Sequence, residues 1–556
     1  MICILHGYLL EGSGSNLWTR FMVDSLCRQG ETVHLMAQEN HPERYPFIAE
    51  ARSYAPDGTV ETFYRRAEGS HPGQPGCCIL HKPVLGGTLP VYVWDKYEEF
   101  SRVVPMIDLT DEEIAEYTSR NVAALRRVVR ENGITAIHAN HAVLMSVVAQ
   151  RVSADTGIPF SIMPHGSALE YAVKRDPRFL RLARGAFAAA GRIFVHGDEM
   201  RARVLAVFTD MPGLDEKVRD LHLGVDTSQF EPVLRSERGR NIAALREALA
   251  ELPRGRAPAR TEAMLARLRG DLDRAGLGEA LAIGRGFDSR SPDADLEARL
   301  DAVDWDRDPT LLYVGRLISA KGVQDVIAAL PLLLERAPAL RLLIVGHGPL
   351  REPLEALLWA LERGERALAE RIVAWGRALE GEPEGEGGGH ELTKVARFWD
   401  QLRLRGELDA YFEAARRHVR RERVVFTGYL THRELRHLFP CCDIAVFPSV
   451  VKEAGPLVFL EALASGAFPM GTYFGGMKAS IDAVAEALPP GAVEAMKLDP
   501  DPDRTVADLV RSFPVALASG ERHKAALSRL ARERYDWGSV ARTFAAELRS
   551  LETNEG

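Results

Sequence analysis

Short apolar runs recur along the chain, each followed by a stretch whose apolar residues return every three or four positions. ICILHGY, SNLWTRFMVDSLCRQG and TVHLMAQ read in turn as strand, helix and strand, a βαβ opening. AIHANHAVLMSVVAQRVSADTGIPFSIMPHG and GRIFVHGDEMRARVLAVF repeat the pairing of a strand with an amphipathic helix. The second half does so again, with PTLLYVGRL, a helix from Gly322 to about Glu335, then RLLIVGHG, VVFTGY, DIAVFPS and AFPMGTY. Alternation of this kind predicts mostly parallel sheets covered on both faces, in two doubly wound halves.

The boundaries follow from where this rhythm breaks. An N-terminal domain spans 1–232 and a C-terminal one 309–530. Between them, 233–308 is rich in Arg, Asp, Glu, Ala, Gly and Pro with short leucine patterns at Leu265, Leu268 and Leu272, and reads as an inserted helical linker. A second insertion, about 355–420, flanks EGEPEGEGGG, whose Gly and Pro forbid a continued helix. It reads as a helical hairpin, and its charge favours a solvated decoration over a partner-binding arm. A final helix covers 531–556.

At 556 residues the chain exceeds what one core supports, which fits two domains. A formal net charge of -8 excludes global steering toward nucleic acid or an anionic bilayer. The six cysteines have no CxxC spacing and are too sparse for a disulfide framework, which suits a reducing cytoplasm. The start carries no basic leader and no apolar run reaches transmembrane length, so the expectation is a cytoplasmic protein.

Candidate chemistry is concentrated at the predicted strand ends. LLYVGRLISAKG puts Arg316 and Lys321 in the loop leaving a buried strand, where open α/β sheets bind ligands. In LLIVGHGPL, Gly346 and Gly348 allow a tight turn beside a helix start, an environment suited to phosphate. KEAGPLVFLEALASG supplies Glu453 and, two helical turns on, Glu461, placed to reach opposite ends of one extended ligand. No aspartate-centred metal site stands out.

In this order, GRLxxxKG, VGxGPL, FTGYL, the two spaced glutamates and Gly475-Gly476 resemble the retaining glycosyltransferases of family 4. The first half is also similar: GSGSN matches the family's glycine-rich loop with Gly12 and Gly14, PHGS puts His165 at its active-site histidine, and HLGVDTSQF matches its inter-domain signature with Leu223 for the usual Asn. The resemblance implies the GT-B fold, α/β with two Rossmann-like domains facing a cleft and helical insertions, the last helix crossing back to the first domain. It implies Arg316 and Lys321 on the donor diphosphate, Glu461 on the ribose and Glu453 on the transferred sugar. Gly455, Pro456 and Leu457 would offer backbone groups to sugar and phosphate, and Thr427, Gly428, Tyr429 and Leu430 would contact the base through backbone atoms. Ala454-Gly455-Pro456 departs from the family's aromatic-glycine pair, at the position that bears on sugar choice.

The implied activity is transfer of a hexose from a nucleoside-diphosphate sugar to a hydroxyl acceptor with retention, the leaving phosphate assisting the incoming hydroxyl. No cofactor is expected beyond the donor substrate, and the cations take the place of a metal ion. The partners are a nucleotide sugar and an acceptor hydroxyl on a glycan, glycolipid or small metabolite, with no nucleic acid. Lys174, Arg175, Arg178, Arg181 and Arg184 form a basic helix for which a solvated face is favoured over a phosphorylated acceptor or peripheral contact with the inner membrane face. Two alternatives stay open: a GT-B phosphorylase or sugar-nucleotide epimerase, and a degenerate scaffold. A nicotinamide dehydrogenase is disfavoured, because no G-x-G-x-x-G with a following acid occurs after the first strand.

Overall fold

A computed structural model describes residues 1–67, 75–92, 99–285, 290–381, 390–452 and 455–553. The chain divides into two compact units, Met1–Gly224 with Arg534–Gly556, and Val225–Glu533. Among the described residues no helix is long and apolar enough to cross a membrane.

The first unit holds β1 (Ile2–Leu5), β2 (Thr32–Met36), β3 (Ile48–Tyr54), β4 (Val60–Arg65), β5 (Cys77–Pro83), β6 (Thr88–Val91), β7 (Arg102–Pro105), β8 (Ala136–Asn140), β9 (Phe160–Met163), β10 (Arg192–Val195) and β11 (Val218–Asp220). Nine of these form one sheet, ordered β11-β10-β9-β8-β1-β2-β5-β3-β4, while β6 and β7 pair separately. Every contact in the nine-stranded sheet is parallel except β3 with β4. The chain moves outward from β1 on one side and resumes at β8 on the other, so the loops after β1 and β8 diverge at a topological switch point. The helix Gly14–Arg28 starts there because the Ser13 side chain caps it, accepting from the Asn16 amide at 3.4 Å. Its apolar face, Trp18, Met22, Val23 and Leu26, is fully buried. The helix Trp537–Thr553 joins the same core through Trp537, Phe544 and Leu548, with Trp537 stacked on Phe21 at 5.6 Å. The last helix therefore belongs to the first unit although the chain reaches it from the second.

The second unit contains β12 (Thr310–Val314), β13 (Arg341–Val345), β14 (Val424–Gly428), β15 (Ile444–Phe447), β16 (Phe468–Thr472) and β17 (Lys497–Leu498), all parallel in the order β14-β13-β12-β15-β16-β17. Its switch point lies between β12 and β15. The strands are continuous apolar runs because both faces are covered.

The segment 233–308 is built into the second unit. Arg238, fully buried, donates to Asp443 at 2.5 Å, and Asp443 also accepts from the Thr310 amide at 2.9 Å. Arg351 bridges Asp293 and Glu355 at 2.7 and 2.9 Å, and Glu355 pairs with Arg256 at 2.8 Å. Ser291 to Asp293 run along the end of β14: the Asp293 amide donates to the Thr427 carbonyl (2.9 Å) and the Tyr429 amide to the Ser291 carbonyl (3.1 Å). In place of one hairpin over about 355–420, four helices run Arg351–Arg363, Arg366–Leu379, Thr393–Leu404 and Leu408–His418. Each buries an apolar face, including Leu357, Ile372, Trp399 and Tyr411, which a solvated decoration would leave wet. Most of the expected tip, 382–389, lies outside the described residues.

Candidate functional site

The two switch points carry two groups of residues. In the first unit, three side chains at the ends of β1, β8 and β9 meet around one network. His6 Nε2 lies 3.0 Å from Asn16 Oδ1, and His6 Nδ1 lies 3.1 Å from Thr19 Oγ1. Asn140 donates through Nδ2 to Thr19 Oγ1 at 2.8 Å, leaving Oδ1 to face His165 Nε2 at 3.1 Å. An amide oxygen only accepts, so in neutral His165 the proton sits on Nε2 and Nδ1 keeps its lone pair. Burial, reinforced by surrounding histidines including His6 and His138, holds His165 well below the ordinary imidazole range. The ring is therefore neutral at pH 7.

Backbone strain marks the same place. Among the described residues three non-glycine residues have positive φ, and two of them are His165 (φ 49) and His141 (φ 74). Such conformations cost about 1–3 kcal/mol and persist where the surroundings enforce them, which is typical of functional sites. The His141 ring packs 4.8 Å from His165 and 4.7 Å from Tyr92; it is buried, and neither ring nitrogen has a hydrogen-bond partner among the described residues. Gly12 lies in the loop ahead of the Gly14–Arg28 helix, and Gly14 is that helix's first residue.

In the second unit, Arg316 follows β12 and is exposed, with no side-chain hydrogen bond or ion pair among the described residues. Lys321 ends a single 3-10 turn, Ser319–Lys321, just ahead of the helix Val323–Arg336. Gly346 and Gly348 follow β13 with φ of 145° and 154°. A Cβ on Gly346 would sit 1.8 Å from the Gly315 carbonyl oxygen, so only glycine lets this turn pack against the loop of Arg316. Pro456 precedes the helix Leu457–Ser465, whose amide end faces Gly455 along the chain. Glu461 is buried in that helix, and Glu453 lies outside the described residues.

The segment expected to meet a base through its backbone is already heavily bonded. The Thr427 carbonyl accepts from Asp293, the Gly428 carbonyl from the Gly346 amide at 2.9 Å, and the Tyr429 amide donates to Ser291. The Tyr429 ring is partly exposed and set edge-on to His347 at 4.9 Å.

Sequence reasoning missed His141, Asn140, Thr19, His347 and His432. The HANH tetrapeptide at a strand end was a usable signal for the first two. Of the five basic residues, Arg178, Arg181 and Arg184 lie on the helix Pro177–Ala189 and Lys174 and Arg175 precede it; Arg175 and Arg181 are exposed, and the other three are paired. Arg178 is engaged by Asp176 (2.7 Å), Asp111 (2.9 Å) and the carbonyls of Ile107 and Leu109, Lys174 by Glu170, and Arg184 by Asp210.

Family models described as "Glycosyl transferases group 1" match residues 301–367 and 391–497, and one described as "Glycosyltransferase Family 4" matches residues 91–229, together more than half of the chain. A glycogen synthase from Mycobacterium tuberculosis is 28% identical over 272 residues, 49% of this chain and 48% of the relative. An alpha-D-kanosaminyltransferase from Streptomyces kanamyceticus is 38% identical over 88 residues, 15% of this chain and 22% of the relative. The chain thus spans about half the length, or less, of the curated relatives it matches. In fold it is similar to the catalytic domain of starch synthase IV from Arabidopsis thaliana bound to ADP and acarbose, at TM-score 0.52 and 12% identity, covering 100% of this chain and 99% of that one. It is also similar to a glycosyltransferase from Rickettsia africae, at TM-score 0.50 and 12% identity, covering 100% and 99%.

Proposed function

The chain belongs to the group 1 glycosyltransferases of the GT-B fold, and from that premise we propose that it transfers a hexose from a nucleoside-diphosphate sugar to a hydroxyl acceptor with retention. The observation that carries this reading is the second unit's switch point, where a loop with two cations, a turn that only glycine can make and a buried carboxylate adjoin one parallel sheet. A diphosphate needs fixed positive charge and free amides, and a ribose diol needs an acceptor such as Glu461.

Glycosidic cleavage builds negative charge on the departing phosphate. Arg316 and Lys321, together with the amide end of the Leu457–Ser465 helix, stabilise that charge without a metal ion in this account. His165 is assigned to the transferred sugar as a neutral ring held by Asn140. The starch synthase of similar fold is bound to ADP, which makes adenosine diphosphate sugars the first donors to try.

The test is thermal shift of the purified chain with uridine, adenosine and guanosine diphosphate hexoses, followed by release of nucleoside diphosphate with and without hydroxyl acceptors. A bound donor raises the midpoint by mass action. No shift and no nucleotide release with any donor refutes the reading. An absolute requirement for inorganic phosphate would assign the chain to the phosphorylases instead.

A further inference from the structure

We propose that the helical insertion between β13 and β14 is part of the donor site, with Glu380 and Lys394 as positioning residues that hold the loops after β12 and β15 in their binding geometry. This rests on the reading of those loops as the nucleotide-sugar site.

In their described parts the two loops are bonded to each other at Ala320 and Val450. The Val450 amide donates to the Ala320 carbonyl at 2.9 Å, and Ser449 Oγ lies 3.3 Å from the same oxygen and 3.0 Å from the Val451 carbonyl, one of which takes its single proton. They come so close at Gly322 (φ 75°) that a Cβ there would lie 1.9 Å from the Pro448 carbonyl oxygen. The insertion grips this bonded pair with one charge on each loop. Glu380, just past the Arg366–Leu379 helix, accepts from the Ser319 amide through one carboxylate oxygen (2.7 Å) and from the Ser319 hydroxyl through the other (2.6 Å). Lys394, on the Thr393–Leu404 helix, donates to the Ser449 carbonyl at 3.5 Å and lies 3.9 Å from Asp325 Oδ2.

All three charged groups are buried, Glu380 at 7%, Lys394 at 3% and Asp325 at 0% relative exposure. Burying charge is unfavourable compared with an apolar residue of similar size, so packing alone gives no reason for this arrangement. What it supplies is direction: a carboxylate that takes both donors of Ser319 fixes the turn whose last residue is Lys321. A cation acts on a transition state only if its position is set beforehand, and small displacements sharply lower the rate. Burial pushes the Asp325 carboxyl up to about 7 and the Lys394 amine down, as expected for a pair kept from water and dependent on each other.

The test uses full-length Glu380→Ala, Ser319→Ala and Lys394→Met, with calorimetric binding of UDP and ADP, hydrogen exchange over 316–322 and 448–452, and the split between KM and kcat. Glu380→Ala is expected to weaken nucleotide binding roughly tenfold and to speed exchange in both segments, and Glu380→Gln, which keeps one accepting oxygen, to recover part of the loss. Lys394→Met is expected to act mainly on 448–452. Wild-type affinity together with wild-type exchange in folded Glu380→Ala and Lys394→Met overturns the proposal. Should Glu380→Ala fail to fold, Ser319→Ala decides, since it removes only the hydroxyl: unchanged affinity and exchange again overturn it. If the wild-type chain binds neither nucleotide, the donor-site reading fails, and the exchange rates alone decide whether the insertion holds the loops.

Discussion

His432 Nδ1 lies 2.6 Å from Glu461 Oε1, while Glu461 Oε2 is buried without a hydrogen-bond partner among the described residues. A buried carboxylate oxygen left unpaired is costly unless something accepts its company, and a sugar diol supplies two donors. His432 thus contacts one carboxylate oxygen, and under the proposed donor-site reading the other is the oxygen offered to a ligand.

Glu461→Ala should therefore raise the donor KM or Kd by roughly ten- to a hundredfold, the range for hydrogen bonds to a charged group, with a smaller effect on kcat. His432→Ala should weaken binding less, because the carboxylate remains and loses only its orientation. Calorimetry with the cognate nucleoside diphosphate measures both. Equal, wild-type affinities in the two variants would remove Glu461 from the site.

Arg316 and Lys321 are expected to act on the leaving diphosphate. Removing either preorganised charge should lower kcat about a hundredfold, on the order of 3 kcal/mol, while the fold is kept. The double variant should lose less than the product of the two, since both charges serve one group. Steady-state rates in excess EDTA check the accompanying claim: activity should persist, and inactivation reversed by a divalent ion would contradict it.

His165→Ala should lower turnover by about a hundredfold and leave nucleotide affinity near the wild-type value, as for a group that acts on the sugar rather than the nucleotide. Asn140→Ala should reproduce part of this loss by freeing the ring. Wild-type turnover in His165→Ala refutes the assignment.

The first unit should be acid-labile. Burial holds His6 and His34 at about 4 and His138 at about 3, and lowers His81, His141 and His165 as well. Each group has a folded value below its unfolded one near 6.5, so the unfolded chain binds more protons between them. The stability from these neutral rings is complete above about pH 6.5 and is lost as pH falls toward 4, at up to about 1.4 kcal/mol per pH unit for each histidine. Denaturant unfolding followed by a first-unit signal, such as Trp18 or Trp537 fluorescence, should show the midpoint dropping steeply across that window. A flat profile would mean that these rings are not buried as described.

The sequence by itself determined what depends on near neighbours along the chain. Strand and helix order follows from short apolar runs alternating with stretches of period 3.6, the turns at Gly346 and Gly348 from the spacing of glycines, and the candidate cations after β12 and the carboxylate of the Leu457–Ser465 helix from short motifs at strand ends. These signals are local, because a residue's facing in a strand or helix repeats over a few positions. Tertiary structure decided which side chains meet. Thr19 reaches Asn140 across 121 positions only because β1 and β8 are neighbours in a sheet whose order the chain does not follow. Ser319 finds Glu380 across 61 positions because the insertion folds back onto the β12 loop. The same holds for Asp293 against Thr427 and for His432 against Glu461. The apolar faces that dock these elements are legible in the sequence as patterns. Hydrophobic burial is non-directional, however, so the pattern says that a face is covered, and only close packing and the pairing of buried polar groups select what covers it.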